Sequence, residues 1–318
     1  MFRQAVTEPV SRFVERKAPP VAESSPLEQA VLRAVTYASL FQFPLTPAEL
    51  RRTVVGHSIS DVQLMSLYRA SPFLQDRIDY RRGHFVPVGC DDWINERSVR
   101  EVRSLRFIHQ HERFLDVLCA LPGVSLLSVS GSLAHLNATA NADLDLFIVT
   151  KGVRVWSVTL AVVLLAKLMG VRKTVCANFV VADTDLAVEP QDEFCANQII
   201  HLRPITGSDT YRAFVDANPF VRAIYPNFDP REKTVWPFRP AAWTPRTKRA
   251  LELALAIPAG AIEWTSRVTY GWYLRRHVRR WASPDQVRLT RTQLKLHGNS
   301  HRQSIAHTLG DAMRRAGL

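Results

Sequence analysis

Two short runs constrain this chain more than any other feature. Val124-Ser125-Leu126-Leu127-Ser128-Val129-Ser130 ends on Gly131-Ser132, and ten residues later Asp143-Leu144-Asp145-Leu146-Phe147-Ile148-Val149 follows. Both are rich in β-branched and aliphatic residues and suit strands. Side chains alternate across a strand, so Asp143 and Asp145 share one face while Leu144, Leu146 and Ile148 share the other. Burying the apolar face therefore forces two carboxylates together.

Like charges held side by side cost free energy unless something neutralises them, and a divalent cation with oxygen ligands is the usual remedy. Mg2+, or Mn2+ in its place, fits two fixed acids because it takes its remaining ligands from water and substrate phosphates. Gly131 allows close backbone approach, and Ser132 adds a hydroxyl and exposed N–H groups for phosphate oxygens.

Gly131-Ser132 and Asp143-Leu144-Asp145, each attached to a strand, resemble the Gly-Ser…Asp-x-Asp signature of the polymerase-beta-like nucleotidyltransferase superfamily. The resemblance implies an α/β (α+β) fold with a small mixed-sheet core. It also implies transfer of a nucleoside monophosphate from a nucleotide triphosphate to a hydroxyl. Asp143 and Asp145 are then the catalytic, metal-binding acids, and Gly131 and Ser132 hold the nucleotide. A looser similarity from Leu27 to Asn227 rests on Cys176-Ala177-Asn178-Phe179 and on Gln198 with Arg203-Pro204. With Leu294-Lys295-Leu296-His297, it points to bacterial nucleotidyltransferase-domain proteins of unassigned substrate. The acceptor stays open between a protein hydroxyl, an RNA end and a small molecule.

Active members of that superfamily bring a third carboxylate from a later strand. The next strand candidate, Lys173 to Val181, has no acid. Asn178 is its only interior side chain able to coordinate through oxygen, and an uncharged amide cannot act as a base. Asp183 and Asp185 follow at once and complete the site only if the chain there folds back toward Asp143. Without a third acid, the alternative is a catalytically silent nucleotide- or nucleic-acid-binding regulator with a degenerate core.

Around this core the chain divides into a flexible lead (1–25), a helical unit (26–90), the core with a preceding helix (91–230) and a basic helical region (231–318). Ser25-Pro26 and the box from Thr46 to Glu49 start two helices, a third covers Ser60 to Arg69, and Phe73-Leu74, Ile78-Tyr80 and His84-Val88 read as a hairpin. Three helices and a hairpin resemble a winged-helix domain. Its 7 basic and 5 acidic residues are too balanced for a phosphate footprint, so a packing or partner-binding role stands beside DNA binding.

Asp92 to Leu121 reads as helical throughout. Val99, Val102, Leu105, Ile108, Phe114, Leu115, Val117 and Leu118 are expected on its buried face, with its Arg and Glu residues in solvent. Val153 to Val171 approaches membrane-spanning length, but Arg154, Trp156, Ser157, Thr159 and Lys167 interrupt it, so a buried crossover helix is expected.

Charge is unevenly placed. Residues 1–230 hold 24 Lys and Arg against 24 Asp and Glu, whereas residues 231–318 hold 17 against 5, which accounts for the whole net charge of +12. Thr247 to Trp281 is expected to be helical with a bend at Pro258. Tyr270, Leu274, His277, Val278 and Trp281 fall on one face; Arg275, Arg276, Arg279 and Arg280 form a positive stripe for RNA, another polyanion or the triphosphate. Cys90, Cys119, Cys176 and Cys195 form no CxxC pair, so reduced thiols are expected rather than a zinc site or disulfides. His297, His301 and His307 read as surface or packing residues. No basic-then-apolar leader stands at the N-terminus, and a cytoplasmic location is expected.

Overall fold

Side-chain caps set where the first helices begin. In the computed structural model, which describes residues 24–232, 237–278, 287–296 and 302–318, helix α1 (Pro26–Ser39) starts where the Ser25 hydroxyl accepts from the Glu28 backbone and Glu28 reaches back. The same reciprocal box starts α2 (Pro47–Thr53) at Thr46 with Glu49, and α3 (Asp61–Ala70) at Ser60 with Gln63. Phe73 and Leu74 are not part of the hairpin expected of them. Ser71 caps and Pro72 opens a single-turn helix, α4 (Pro72–Gln75), which buries both residues. The hairpin itself is β1 (Ile78–Arg81) with β2 (His84–Pro87), and α1 to β2 enclose one apolar core.

The expected long helix is two, α5 (Asp92–Gln110) and α6 (Glu112–Cys119), parted at His111. Its burial is also the reverse of the expected pattern over the first half. Val99, Val102 and Leu105 are exposed, while Arg97, Arg100 and Arg103 turn inward. Arg97 holds Glu49 through both guanidinium branches at 2.8 Å and stacks over Phe43. Arg100 donates to the carbonyl of Phe41 and the side chains of Gln42 and Asn137, and Arg103 to the carbonyl of Ala138. Periodicity mispredicts this segment because unsatisfied loop carbonyls and a buried carboxylate recruit guanidiniums as packing partners. Ile108, Phe114, Leu115 and Leu118 are buried as expected.

The second body is a six-stranded mixed sheet. Its strands are β3 (Val124–Ser130), β4 (Leu144–Thr150), β5 (Val175–Ala182), β6 (Arg203–Thr206), β7 (Val287–Leu289) and β8 (Gln293–Leu296), in spatial order β6-β3-β4-β5-β8-β7. A single-turn helix, α7 (Gly131–Ala134), follows β3; β4 and β5 are parallel, joined by the crossover helix α8 (Val155–Leu168), and the other neighbours are antiparallel. Among the described residues no helix is long and apolar enough to cross a membrane. The first turn of α8 is fixed by Glu263, which accepts from the backbones of Trp156 and Ser157.

One face of the sheet carries α6, α8 and the residues around Leu274. The other carries α9 (Glu193–Ile200), α10 (Ser208–Asp216) and α11 (Phe220–Ile224). The basic C-terminal stretch is not helical throughout. After α12 (Thr244–Ala254) and α13 (Ala259–Val278) it adds β7 and β8 to the sheet, and its last helix, α14 (Arg302–Ala316), returns to α1 with Ala316 in the N-terminal core.

Candidate functional site

Strand register decides what the acid pair faces. Leu144, Leu146 and Ile148 enter the core under α6 and α8, as alternation requires. Asp145, Phe147 and Val149 point to the opposite face, where Phe147 and Val149 pack against Phe214 and Ile200. Toward the start of β4 that packing gives way to a cavity of about 1040 Å3, and Asp143 and Asp145 both line it with Gly131, Ser132 and Asn178. Thus all four residues expected of the site meet at one place.

The turn after β3 lies against Asp145, whose backbone pairs with Ser130. Gly131 has φ +66°, and a Cβ on it would fall 2.4 Å from Asp145 Oδ2. Glycine is therefore required twice over, by the backbone conformation and by the carboxylate beside it. The Ser132 Oγ is buried with no hydrogen-bond partner among the described residues, which marks a polar atom awaiting a ligand or water. Gly131→Ala is expected to displace the Asp145 carboxylate and lower any activity that depends on it about a hundredfold, the scale set by a 1 Å misplacement. Turnover measured beside the melting temperature checks this.

Asn178 reaches the acids through a β-bulge. Asp145 pairs with Cys176 and Leu146 with Ala177, but Phe147 pairs with Phe179, so Asn178 is the extra residue. Its Nδ2 donates to Asp145 Oδ1 at 2.5 Å, and Cys176 Sγ donates to its Oδ1 at 2.7 Å. Asp183 and Asp185 lie past the far end of β5. Asp183 accepts from the backbone of Gly152, and Asp185 from the Thr292 hydroxyl. A strand advances about 3.3 Å per residue, so neither approaches the start of β4, and Asn178 occupies the position beside the pair.

Burial pushes the Asp145 carboxyl up to about 7; the Asn178 hydrogen bond opposes that rise and the Asp143 charge adds to it. Burial raises Asp143 as well. Burial, with the Asp145 charge next, lifts the Cys176 thiol to about 12, so it is a neutral donor and not a nucleophile. No group of three or more His, Cys, Asp or Glu side chains converges anywhere among the described residues. The donor set nonetheless fits Mg2+: two desolvated carboxylates of like charge and the unpartnered Ser132 hydroxyl line the same cavity.

Much of the cavity wall escaped sequence reasoning. Tyr37 and Arg52 come from the N-terminal helical unit, and the rings of His135 and His201 meet in a tilted contact at 4.2 Å between centroids. In the sequence Arg203 stands out only beside Pro204. A cation in the short strand β6, next to proline, was the signal available for it.

Of the arginine stripe, Arg275 and Arg276 do not line the cavity. Arg275 and Arg276 are exposed on α13, with Arg276 over Trp272; Leu274 is buried and Tyr270 partly so. Arg279, Arg280 and Trp281 lie outside the described residues, as do His297 and His301. The remaining histidine, His307, is exposed and pairs with Asp311 at 3.2 Å, an acid one turn away. Cys90 and Cys119 are buried, Cys176 and Cys195 partly so, and none of the four is joined in a disulfide among the described residues. Compared with protein-family models, with curated proteins and with solved structures, the chain matches none of them.

Proposed function

We propose that this chain is a metal-dependent nucleotidyltransferase of the polymerase-beta-like kind, moving a nucleoside monophosphate from a nucleotide triphosphate to a hydroxyl. The observation that carries the reading is the junction of Asp145 with Gly131, where strand, turn and acid pair meet at a cavity mouth. Asp143 and Asp145 would hold Mg2+ or Mn2+. A cation bound there supplies charge neutralisation for the nucleotidyl group in flight. The Ser132 hydroxyl and the backbone at Gly131 orient the triphosphate, and Asn178 fixes the carboxylate of Asp145 by its hydrogen bond. Because an amide takes no proton, slow transfer is part of the expectation.

The test is incubation of the full chain with labelled nucleotide triphosphates, Mg2+ or Mn2+, and protein, RNA and small-molecule hydroxyls. Transfer that stops with EDTA and in Asp143→Asn supports the reading. Transfer indifferent to both overturns it.

A second reading, a silent nucleotide- or nucleic-acid-binding regulator, is favoured by one observation: an asparagine already engages Asp145 where active members of the superfamily place an acid. In that reading the N-terminal unit, winged-helix-like in its three helices and hairpin, and Arg275 and Arg276 on α13 contact polyanions. Nucleic-acid binding that survives Asp143→Asn, with no transfer to any acceptor, selects it.

A further inference from the structure

Three arginines line the cavity, and they are not equivalent. Arg100 sits 3.0 Å from Glu96. Arg52 and Arg203 have no carboxylate within ion-pair distance among the described residues, although both are largely enclosed. The acids nearest them are already engaged. Glu49 is held by both branches of Arg97, and Glu232 lies 3.5 Å from Arg51.

Backbone carbonyls lock the two guanidiniums in place. Arg52 Nη2 donates to Ile200 at 2.6 Å, and Arg203 Nε donates to Ala134 at 2.9 Å. That leaves Arg52 Nε and Arg203 Nη1 buried without partners. Neither His135 nor His201, which also line this wall, can supply a negative charge, and burial and the neighbouring cations keep both neutral. Burial first, and Arg52 next, lower Arg203 to about 10. Fixed, unneutralised guanidiniums with free donor atoms on a cavity wall are the makings of an anion site.

We propose that Arg52 and Arg203 form an oxyanion pocket that seats a phosphate or carboxylate group of the hydroxyl acceptor. The pocket deepens the nucleotidyltransferase reading and rests on it for the word acceptor. Register separates it from the acid pair. Arg203 is paired with Val129 and Asp145 with Ser130, on opposite sides of β3. Two strand spacings put the backbones of Arg203 and Asp145 roughly 10 Å apart along the wall of the cavity that both line. A group bound by the arginines therefore belongs to the part of a substrate remote from the reacting hydroxyl. Arg52 comes from α2, so the N-terminal unit takes part in choosing that substrate.

The experiment is calorimetric titration of the full chain with inorganic phosphate in EDTA. The wild type is expected to bind phosphate. Arg52→Gln and Arg203→Gln are each expected to weaken it about tenfold or more, the scale of a charge-assisted hydrogen bond. Melting temperatures report folding. Where Arg203→Gln fails to fold, Arg203→Lys keeps a cation without the fork and is expected to weaken phosphate less. Asp145→Asn is expected to retain phosphate binding, so failure of the metal reading shows separately, as transfer indifferent to Asp143→Asn. Phosphate that binds alongside ATP and magnesium supports an acceptor subsite. Absence of binding by the wild type, equal binding by both glutamine variants, or displacement of phosphate by ATP and magnesium would overturn the proposal.

Discussion

Asp145→Asn is expected to abolish the nucleotidyl transfer proposed for this chain and, in metal-free buffer at pH 8, to make the protein harder to melt. On that proposal the first effect is the loss of a charge that would hold the metal, on the order of 10³-fold or more if several kcal/mol of transition-state stabilisation go with it. The second follows from linkage. Burial raises the Asp145 carboxyl from 3.8 to about 7 on folding. Between those values the native state keeps a proton that the unfolded chain gives up, so stability falls as pH rises through that window. Above it the ionised carboxylate costs roughly 4 kcal/mol, which the neutral amide avoids. Melting curves of the two proteins at pH 4 and pH 8 in EDTA check this: the variant gains several degrees at pH 8 and little at pH 4. Equal melting at pH 8 would mean that the carboxylate is not desolvated.

The second large effect lies at acid pH, in His135 and His201. Burial, then the charge of Arg203, pushes His135 from 6.5 down to about 3; burial, then His135, holds His201 well below 6.5. Below 6.5 the unfolded chain takes up protons that the native state refuses, so this contribution to stability is complete above pH 6.5 and is lost as pH falls toward 3. Each buried histidine contributes a slope of about 1.4 kcal/mol per pH unit. Urea unfolding across that range is expected to show falling stability, and His135→Gln to flatten it. An unchanged slope in the variant would place the acid sensitivity elsewhere. Asp145 works in the opposite direction within part of the same window, so Asp145→Asn steepens the acid loss.

Several features of the site were legible before any coordinates. Alternation alone put Asp143 and Asp145 on one face, because a strand has no other way to bury Leu144, Leu146 and Ile148. The Gly131-Ser132 turn followed from the end of an apolar run. Helix starts at Ser25, Thr46 and Ser60 were readable because a cap is a contact between residues three apart. Local periodicity served α8 equally well.

What local pattern could not supply was decided by contacts between distant segments. The bulge that aims Asn178 at Asp145 arises from pairing β5 to β4, and nothing in Lys173 to Val181 announces an extra residue. Val99, Val102 and Leu105 were assigned inward by helical spacing, yet Arg97, Arg100 and Arg103 face in because Glu49 and the carbonyls of Phe41 and Ala138 lie there. The C-terminal strands exist because the edge of β5 is open to β8. Sequence by itself determined which residues share a face and where helices begin, since both depend on neighbours in the chain. Tertiary structure alone decided what those faces meet, because a charge, an edge or a cavity wall is satisfied by whichever remote segment is packed against it.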